Sequence, residues 1–190
     1  MNKIKNKKIC VTACCCGIIL VIVYIISAYH IYSKYSIPDE KYISVGEEFI
    51  YKDIQYRLSD MEMLTYDQLS EKYDVSIDKK DDIYRDDRKY FIAVFDVSAI
   101  SEDGSFYIDI FGLHNKYASG NMMSVVEMSQ INNGYTINVK KGETTKFVAV
   151  ASLIDFEFKE DTWSNITEED VYFRLFDMEN ALAYYIGKDV

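Results

Sequence analysis

Few side chains in this sequence are suited to acid–base or nucleophilic chemistry. The chain has two histidines, His30 and His114, and no cysteine follows Cys16. His114, within FGLHNKY, is the one histidine candidate for a general acid or base in the C-terminal part of the chain, because imidazole titrates near neutral pH. No G-x-S-x-G, H-E-x-x-H or phosphate-binding glycine motif accompanies it. We therefore predict a packing or turn histidine, no catalytic or cofactor-binding residues, and a protein that is not an enzyme.

An acid-rich loop at residues 74–90, DVSIDKKDDIYRDDRKY, is the best candidate for a metal site. Its carboxylates at Asp78, Asp81, Asp82, Asp86 and Asp87 offer the oxygen ligands that Ca²⁺ prefers. Their spacing differs from that of an EF-hand, and five basic side chains share the loop. The pattern favours a solvated loop laced with ion pairs, and we predict no metal ligands.

Four cysteines, Cys10, Cys14, Cys15 and Cys16, cluster near the N-terminus. VTAC at residues 11–14 fits the lipid-attachment pattern of bacterial lipoproteins, but the apolar run follows the cysteines instead of preceding them. Thiolates in such a cluster suit a soft metal or redox sensing, yet no histidine or acid is near in the sequence and no C-x-x-C spacing occurs. We predict that they pack as small hydrophobic side chains; a thiol or metal sensor is the alternative.

Residues 9–27, ICVTACCCGIILVIVYIIS, carry no charge and are long enough for a membrane-spanning helix. Four lysines in the first eight residues predict a cytoplasmic N-terminus, and tyrosines gather at the far end. We predict a basic cytoplasmic segment at 1–8, a transmembrane anchor at 9–32, a short tether at 33–46 and an extracellular domain at 47–190. A signal peptide cleaved after Ala28 is the alternative to a retained anchor.

The exported part is strongly acidic. All 31 acidic residues lie at Asp39 or later, against 17 basic residues after Tyr32, which gives a formal charge of −14. Such a surface repels phosphate backbones and anionic headgroups, so we predict no nucleic-acid partner. Without cysteines, this part has no internal disulfide and depends on its core alone.

Short apolar and aromatic runs separated by turn residues predict strands. These runs are EFIYKDIQYRLSDMEML (48–64), KYFIAVFDVSAI (89–100), SFYIDIFGL (105–113), MMSVVEMSQI (122–131), GYTINV (134–139), TTKFVAVASLI (144–154), DVYFRLFD (170–177) and ALAYYIG (181–187). The turn residues at 101–104 predict a hairpin between the second and third runs. Trp163 and many of the 17 tyrosines are expected to fill or border the core.

Helical signal is weak and confined to two short segments, Thr65–Tyr73 and Thr162–Asp170, with Thr167 as a capping residue in the second. Seven to nine strands at short spacing with one or two short helices predict an all-β fold, an antiparallel β-sandwich.

The order of several segments supports a closer resemblance. VGEEFIYKDIQYRL, TYDQL, YFIAVFDV, FGLHN, KKGET at residues 140–144 and the closing VYFRLFD resemble the immunoglobulin-like sandwich domains of uncharacterised membrane-anchored or lipoprotein surface proteins of Gram-positive bacteria. The resemblance covers residues 45–187 and implies a fold and a location. It brings no catalytic residues with it.

These observations predict a single-pass membrane protein with its C-terminal domain outside the cell. We expect that domain to be a non-catalytic module that binds a surface protein or ligand through sandwich loops or an edge strand. A cell-surface enzyme built from His114 and carboxylates is the alternative from a different class, beside the thiol sensor.

Overall fold

The computed structural model describes residues 18–30, 38–78, 80, 83–114, 119–120, 122–166, 171–177 and 179–187. The chain divides into two units, Met1–Pro38 and Asp39–Val190. In the first unit, residues 18–30 form helix α1, in which every side chain is exposed. Within the described residues, no helix has the length and apolar character needed to cross a membrane. The rest of the predicted span, 9–17 and 31–32, and all four cysteines lie outside the described residues.

The second unit contains eleven strands among its described residues, in three sheets. One sheet has the order β1-β11-β10-β6-β7, the next β2-β3-β4-β9, and a small one pairs β5 with β8. In chain order the strands are Asp39–Ile43, Glu48–Tyr51, Ile54–Leu64, Arg88–Ala99, Gly104–Tyr107, Gly112–His114, Ser119–Gly120, Thr136–Val139, Thr145–Ile154, Tyr172–Asp177 and Leu182–Ile186. Helices α2 (Tyr66–Tyr73), α3 (Val125–Ile131) and α4 (Glu160–Ser164) interrupt them, with 3₁₀ turns at Arg85–Asp87 and Asp155–Glu157.

The two larger sheets face each other across an aromatic core. The ring of Phe49 on β2 lies 4.8 Å from that of Tyr184 on β11. Phe111, just before β6, lies 5.2 Å from Phe95 on β4 and 6.3 Å from Phe173 on β10. Aromatic contacts thus join both sheets, and the predicted mostly β architecture, a β-sandwich, is confirmed.

Strand β4 is buried on both of its faces, which explains its nearly continuous apolar sequence. It lies between β3 and β9, and Phe95 points into the sandwich core. On the opposite face, the ring of Tyr90 lies 6.3 Å from that of Tyr66 in α2. Helix α2 begins as predicted, with a capping box in which the Thr65 hydroxyl accepts a hydrogen bond from the backbone of Gln68.

The predicted strand at 122–131 is wrong, because residues 125–131 form α3. Met128 is fully buried while Val126 is 53% exposed, so the apolar positions follow a helical period. The segment also covers the outer edge of β9: the Asn132 amide donates to the Val148 carbonyl over 2.8 Å, and the Val148 amide donates to Asn132 Oδ1 over 2.9 Å. The Asn132 side chain therefore satisfies backbone groups at the outer edge of β9 that would otherwise have no strand partner.

The predicted hairpin between 89–100 and 105–113 is also wrong. Strand β5 pairs with β8, and β6 pairs with β10. Both edges of β4 are already occupied, by β3 and β9. The turn at 101–104 therefore carries the chain away from β4.

Residues 39–43, placed by the sequence in the tether, form β1 and pair in parallel with β11. In their sequence, DEKYI, only Ile43 is buried. The alternation of apolar and polar residues is therefore too weak to predict a strand. The folded unit begins at Asp39. Helix α4 spans Glu160–Ser164, and Thr167, expected to cap the helix predicted at 162–170, lies outside the described residues.

The turn between β10 and β11 is organised by a buried carboxylate. Asp177 is 6% exposed; Oδ1 accepts hydrogen bonds from the amides of Glu179 and Asn180, and Oδ2 accepts one from the Asn180 side chain at 2.8 Å. These bonds, that of the Asn180 side chain first, hold the pKa of Asp177 below its usual value.

Replacing Asn132 with alanine should lower the free energy of unfolding by about 2 kcal/mol, because it leaves the Val148 amide and carbonyl without their side-chain partner. Urea denaturation followed by circular dichroism measures the loss. Asn138→Ala, at an exposed site on β8, is the matched control and should change the value by less than about 0.5 kcal/mol. Equal losses in the two variants would contradict the edge-capping role of Asn132.

Asp177 should make stability depend on pH. Its pKa is lowered on folding, so its contribution is complete above the unfolded pKa of about 3.9 and is lost as pH falls through the folded value. Asp177→Asn should therefore reduce the free energy of unfolding near neutral pH and flatten its fall in acid, as measured by urea titrations across the acid range. Asp109→Asn, at an exposed carboxylate, should retain the wild-type slope. A wild-type slope in Asp177→Asn would show that this turn does not sense pH.

Candidate functional site

The residues singled out by the sequence do not converge in the structure. His114 ends β6 on the outer surface of the five-stranded sheet. In the acidic loop, Asp78 Oδ1 accepts a local hydrogen bond from the Lys80 amide, and residues 81–82 lie outside the described residues. No group of three or more His, Cys, Asp or Glu side chains in the described part of the chain is placed to hold a metal ion.

A different group of side chains meets on the outer face of the β1-β11-β10-β6-β7 sheet. We call it the tyrosine face. It consists of Glu40, Tyr42, His114, Tyr172, Arg174, Phe176 and Tyr185.

Strand register brings these side chains together. Tyr42 is in register with Tyr185, and Tyr185 with Arg174, so the three form a row across β1, β11 and β10. The next row contains Tyr172 opposite His114. Because side chains two residues apart in a strand share a face, both rows point away from the core.

The tyrosine rings pack against one another at the surface. Tyr42 stacks on Tyr185 with 5.2 Å between ring centroids, and Tyr172 meets Tyr42 edge-on at 5.9 Å. Tyr42 is 45% exposed, and its hydroxyl donates to Glu40 Oε2 over 3.1 Å, which raises the pKa of Tyr42. The rings are thus held in place by their neighbours and still present area to solvent.

Gly187 creates the space that Tyr172 occupies. A Cβ atom at this position would lie 2.6 Å from Cδ1 of Tyr172, closer than real side chains approach. Any other residue at 187 would displace the tyrosine ring, so this glycine positions the second row of the tyrosine face.

Arg174 lies near the centre of the face. Its guanidinium carbon is 4.4 Å from the ring centroid of Phe176, a cation–π arrangement. The ring of His114 meets Tyr185 edge-on at 5.2 Å. Burial, and then the charge of Arg174, lower the pKa of His114, whereas Glu40 raises it. The buried Nδ1 of His114 has no hydrogen-bond partner within the described residues.

A cleft of about 390 Å³ lies at the edge of the sandwich, between the edge strands β1 and β2, and is lined in part by residues that alternate with those of the tyrosine face. Phe49 and Tyr184 line it, and Lys41 and Glu48 add charge. The hydroxyl of Tyr184 donates to the carbonyl of Ile50 over 3.2 Å, and burial raises the pKa of Tyr184.

The tyrosine face combines aromatic rings, a guanidinium and an imidazole. Its aromatic rings and guanidinium offer contact area and hydrogen bonds, while its histidine has no serine or cysteine beside it among the residues that define the face. Sequence reasoning identified His114 but missed the tyrosines and Arg174, which it assigned to the core or left unremarked. The signal was present in VYFRLFD, where Tyr172, Arg174 and Phe176 alternate with buried residues.

No protein-family model and no curated protein matches this chain. Among solved structures, it is similar to an uncharacterised β-sandwich protein from Clostridium difficile, at 13% identity and a TM-score of 0.46, covering 79% of this chain and 95% of that one. It is also similar to ycdA, a candidate lipoprotein from Bacillus subtilis, at 11% identity and a TM-score of 0.46, covering 77% of this chain and 40% of that one. The yjhA protein from Bacillus subtilis gives 12% identity and a TM-score of 0.44, covering 77% and 99%.

The environment of His114 generates a measurable prediction. Its pKa should lie below the usual value of about 6.5 in the intact protein, as followed by NMR titration of the imidazole. Arg174→Gln removes a nearby positive charge and should raise the pKa of His114. Arg57→Gln, at an exposed arginine on β3, is the charge-matched control and should leave it unchanged. An unchanged His114 pKa in Arg174→Gln would show that the two side chains are not coupled.

Proposed function

We propose that this protein is a non-catalytic binding module that recognises a protein partner through the tyrosine face. The observation that carries the proposal is the meeting of three tyrosines, an arginine and a phenylalanine on one surface of a sheet. Tyrosine and arginine are the side chains that most often dominate binding energy at protein interfaces. Rings that are already packed together lose little conformational entropy when a partner binds.

The charge of the folded unit favours a protein over other partners. Residues 39–190 contain 16 basic and 31 acidic residues, a formal charge of −15. This charge opposes binding to nucleic acid and to anionic membrane surfaces. A protein partner can still supply apolar contact to the rings, which depends little on net charge.

We also propose that the sandwich is immunoglobulin-like. Support comes from strand order: β11-β10-β6-β7 follow one another as strands G, F, C and C′ do in variable-type domains, and β4 pairs with β9 as strand B pairs with E. The domain departs from antibody domains in having no cysteine for the disulfide between sheets. In this assignment, the tyrosine face belongs to the sheet formed by strands G, F, C and C′.

The proposed location is the outer side of a cell membrane, with the N-terminal segment as anchor and the folded unit outside. Three observations support this location: the uncharged run at 9–27, the lysines that precede it, and the exposed apolar side chains of α1 at residues 18–26. The charge asymmetry between the first eight residues and the folded unit agrees with this orientation.

Site-specific photo-crosslinking tests the binding role. With a photoreactive phenylalanine analogue at Phe176, full-length protein in its own cells should give a discrete crosslinked species, and the same analogue at the exposed Tyr107 of β5 should not. Adding Tyr42→Ala should reduce the crosslink about tenfold, because an aromatic anchor is lost. Tyr135→Ala, at an exposed tyrosine outside the face, is the control. Equal crosslinking from positions 176 and 107, or no effect of Tyr42→Ala, would contradict the proposal.

A further inference from the structure

Arg174 occupies a distinctive position on the tyrosine face. It is partly buried, and its guanidinium carbon lies over the ring of Phe176, 4.4 Å from the ring centroid. The residues in register with it are Tyr185 on β11 and Gly112 on β6. At Gly112 a Cβ atom would lie 2.9 Å from the backbone carbonyl oxygen of Gly120 on β7, so no side chain fits at this position beside Arg174. Arg174 therefore has an aromatic ring on one side and, across the strand pair, a residue without a side chain.

The charge of Arg174 is not neutralised by this chain within the described residues. The structure shows no ion pair for it there, although acidic residues outnumber basic ones by 31 to 16 in the folded unit. Glu40, the acid of the tyrosine face, already accepts the hydrogen bond of Tyr42. In the part of the chain that the structure describes, an acidic domain thus holds a guanidinium near the centre of its aromatic surface without an ion pair.

A guanidinium presents N–H donors in a planar fork that matches the two oxygens of a carboxylate. Stacking on a ring occupies the flat side of the guanidinium and leaves its N–H edges available for such a ligand. We propose that Arg174 binds a carboxylate, that of an aspartate or glutamate side chain of the partner protein. The tyrosines contact apolar groups beside this carboxylate. This inference rests on the proposed binding function of the tyrosine face.

The net charge of the folded unit also limits how many acidic residues the bound partner segment can carry. A single carboxylate can meet Arg174, whereas a long run of acids would be repelled by the net charge of −15 in the folded unit. The partner segment therefore carries one acidic residue flanked by aromatic or apolar residues.

A pair of synthetic peptides tests this inference. Acetyl-Gly-Tyr-Glu-Tyr-Gly-amide and its glutamine counterpart differ only in the carboxylate. Each is titrated into full-length protein in mild detergent, with arginine labelled by ¹⁵N, and the Nε–Hε signal of Arg174 is followed by NMR. We expect the glutamate peptide to bind about tenfold more tightly, the usual gain from a charge-assisted hydrogen bond.

The variants assign the effect to one side chain. Arg174→Gln should abolish the preference for glutamate, and Arg174→Lys should retain only part of it, because an ammonium keeps the charge without the planar fork. Arg57→Gln on β3 is the matched control and should bind both peptides as the wild type does. Amide spectra of each variant verify that it is folded.

Other outcomes overturn the inference. Equal affinity of the two peptides, no binding of either in the millimolar range, or a glutamate preference that survives Arg174→Gln would each exclude carboxylate binding at Arg174. Failure of the proposed function is distinguishable, since Tyr42→Ala would then leave both peptide affinities and the crosslink from position 176 unchanged.

Discussion

The aromatic cluster around Phe95 is the interaction on which the rest of the folded unit depends. Its ring lies 5.2 Å from Phe111 and 5.9 Å from Phe147, and it meets Tyr56 and Phe49 edge-on at 6.2 and 6.4 Å. These partners come from segments far apart in the sequence. With no cysteine after Cys16, no disulfide reinforces the unit, so burial and aromatic packing must hold the two sheets together.

Local pattern was sufficient for the strands that this cluster buries, and for α2. The central strands β4 and β9 are predicted correctly because their apolar runs are long, and α2 lies within the helical segment predicted at Thr65–Tyr73. Prediction from the sequence fails where the pairing of a strand depends on a partner strand far away in the sequence. Strand β1 exists because β11 offers an edge, about 140 residues later in the chain. Strand β5 does not pair with β4, because β9, which comes later in the sequence, occupies the edge of β4 that β3 does not.

The candidate site was harder to predict than the fold for the same reason. Tyr42, Tyr172 and Tyr185 are separated by up to 143 positions, and only sheet register brings their rings to within 6.2 Å of one another. Abundant tyrosines were expected to belong to the core, and Tyr56 and Tyr184 do. Hydrophobicity alone does not separate the two groups, because a tyrosine suits both a core with a nearby acceptor and a binding surface.

Alternation along β10 connects the core to the tyrosine face. Phe173 and Leu175 are buried, so Tyr172, Arg174 and Phe176 must face outward. A slip of one residue would exchange the two sets and place the guanidinium of Arg174 inside the core, at a large energetic cost. The carboxylate of Asp177, at the end of the same strand, organises the turn that leads into β11 and thereby helps set this register. The physical forces that fix the core therefore also assemble the tyrosine face, and a variant that weakens the β10–β11 turn is expected to disturb both together.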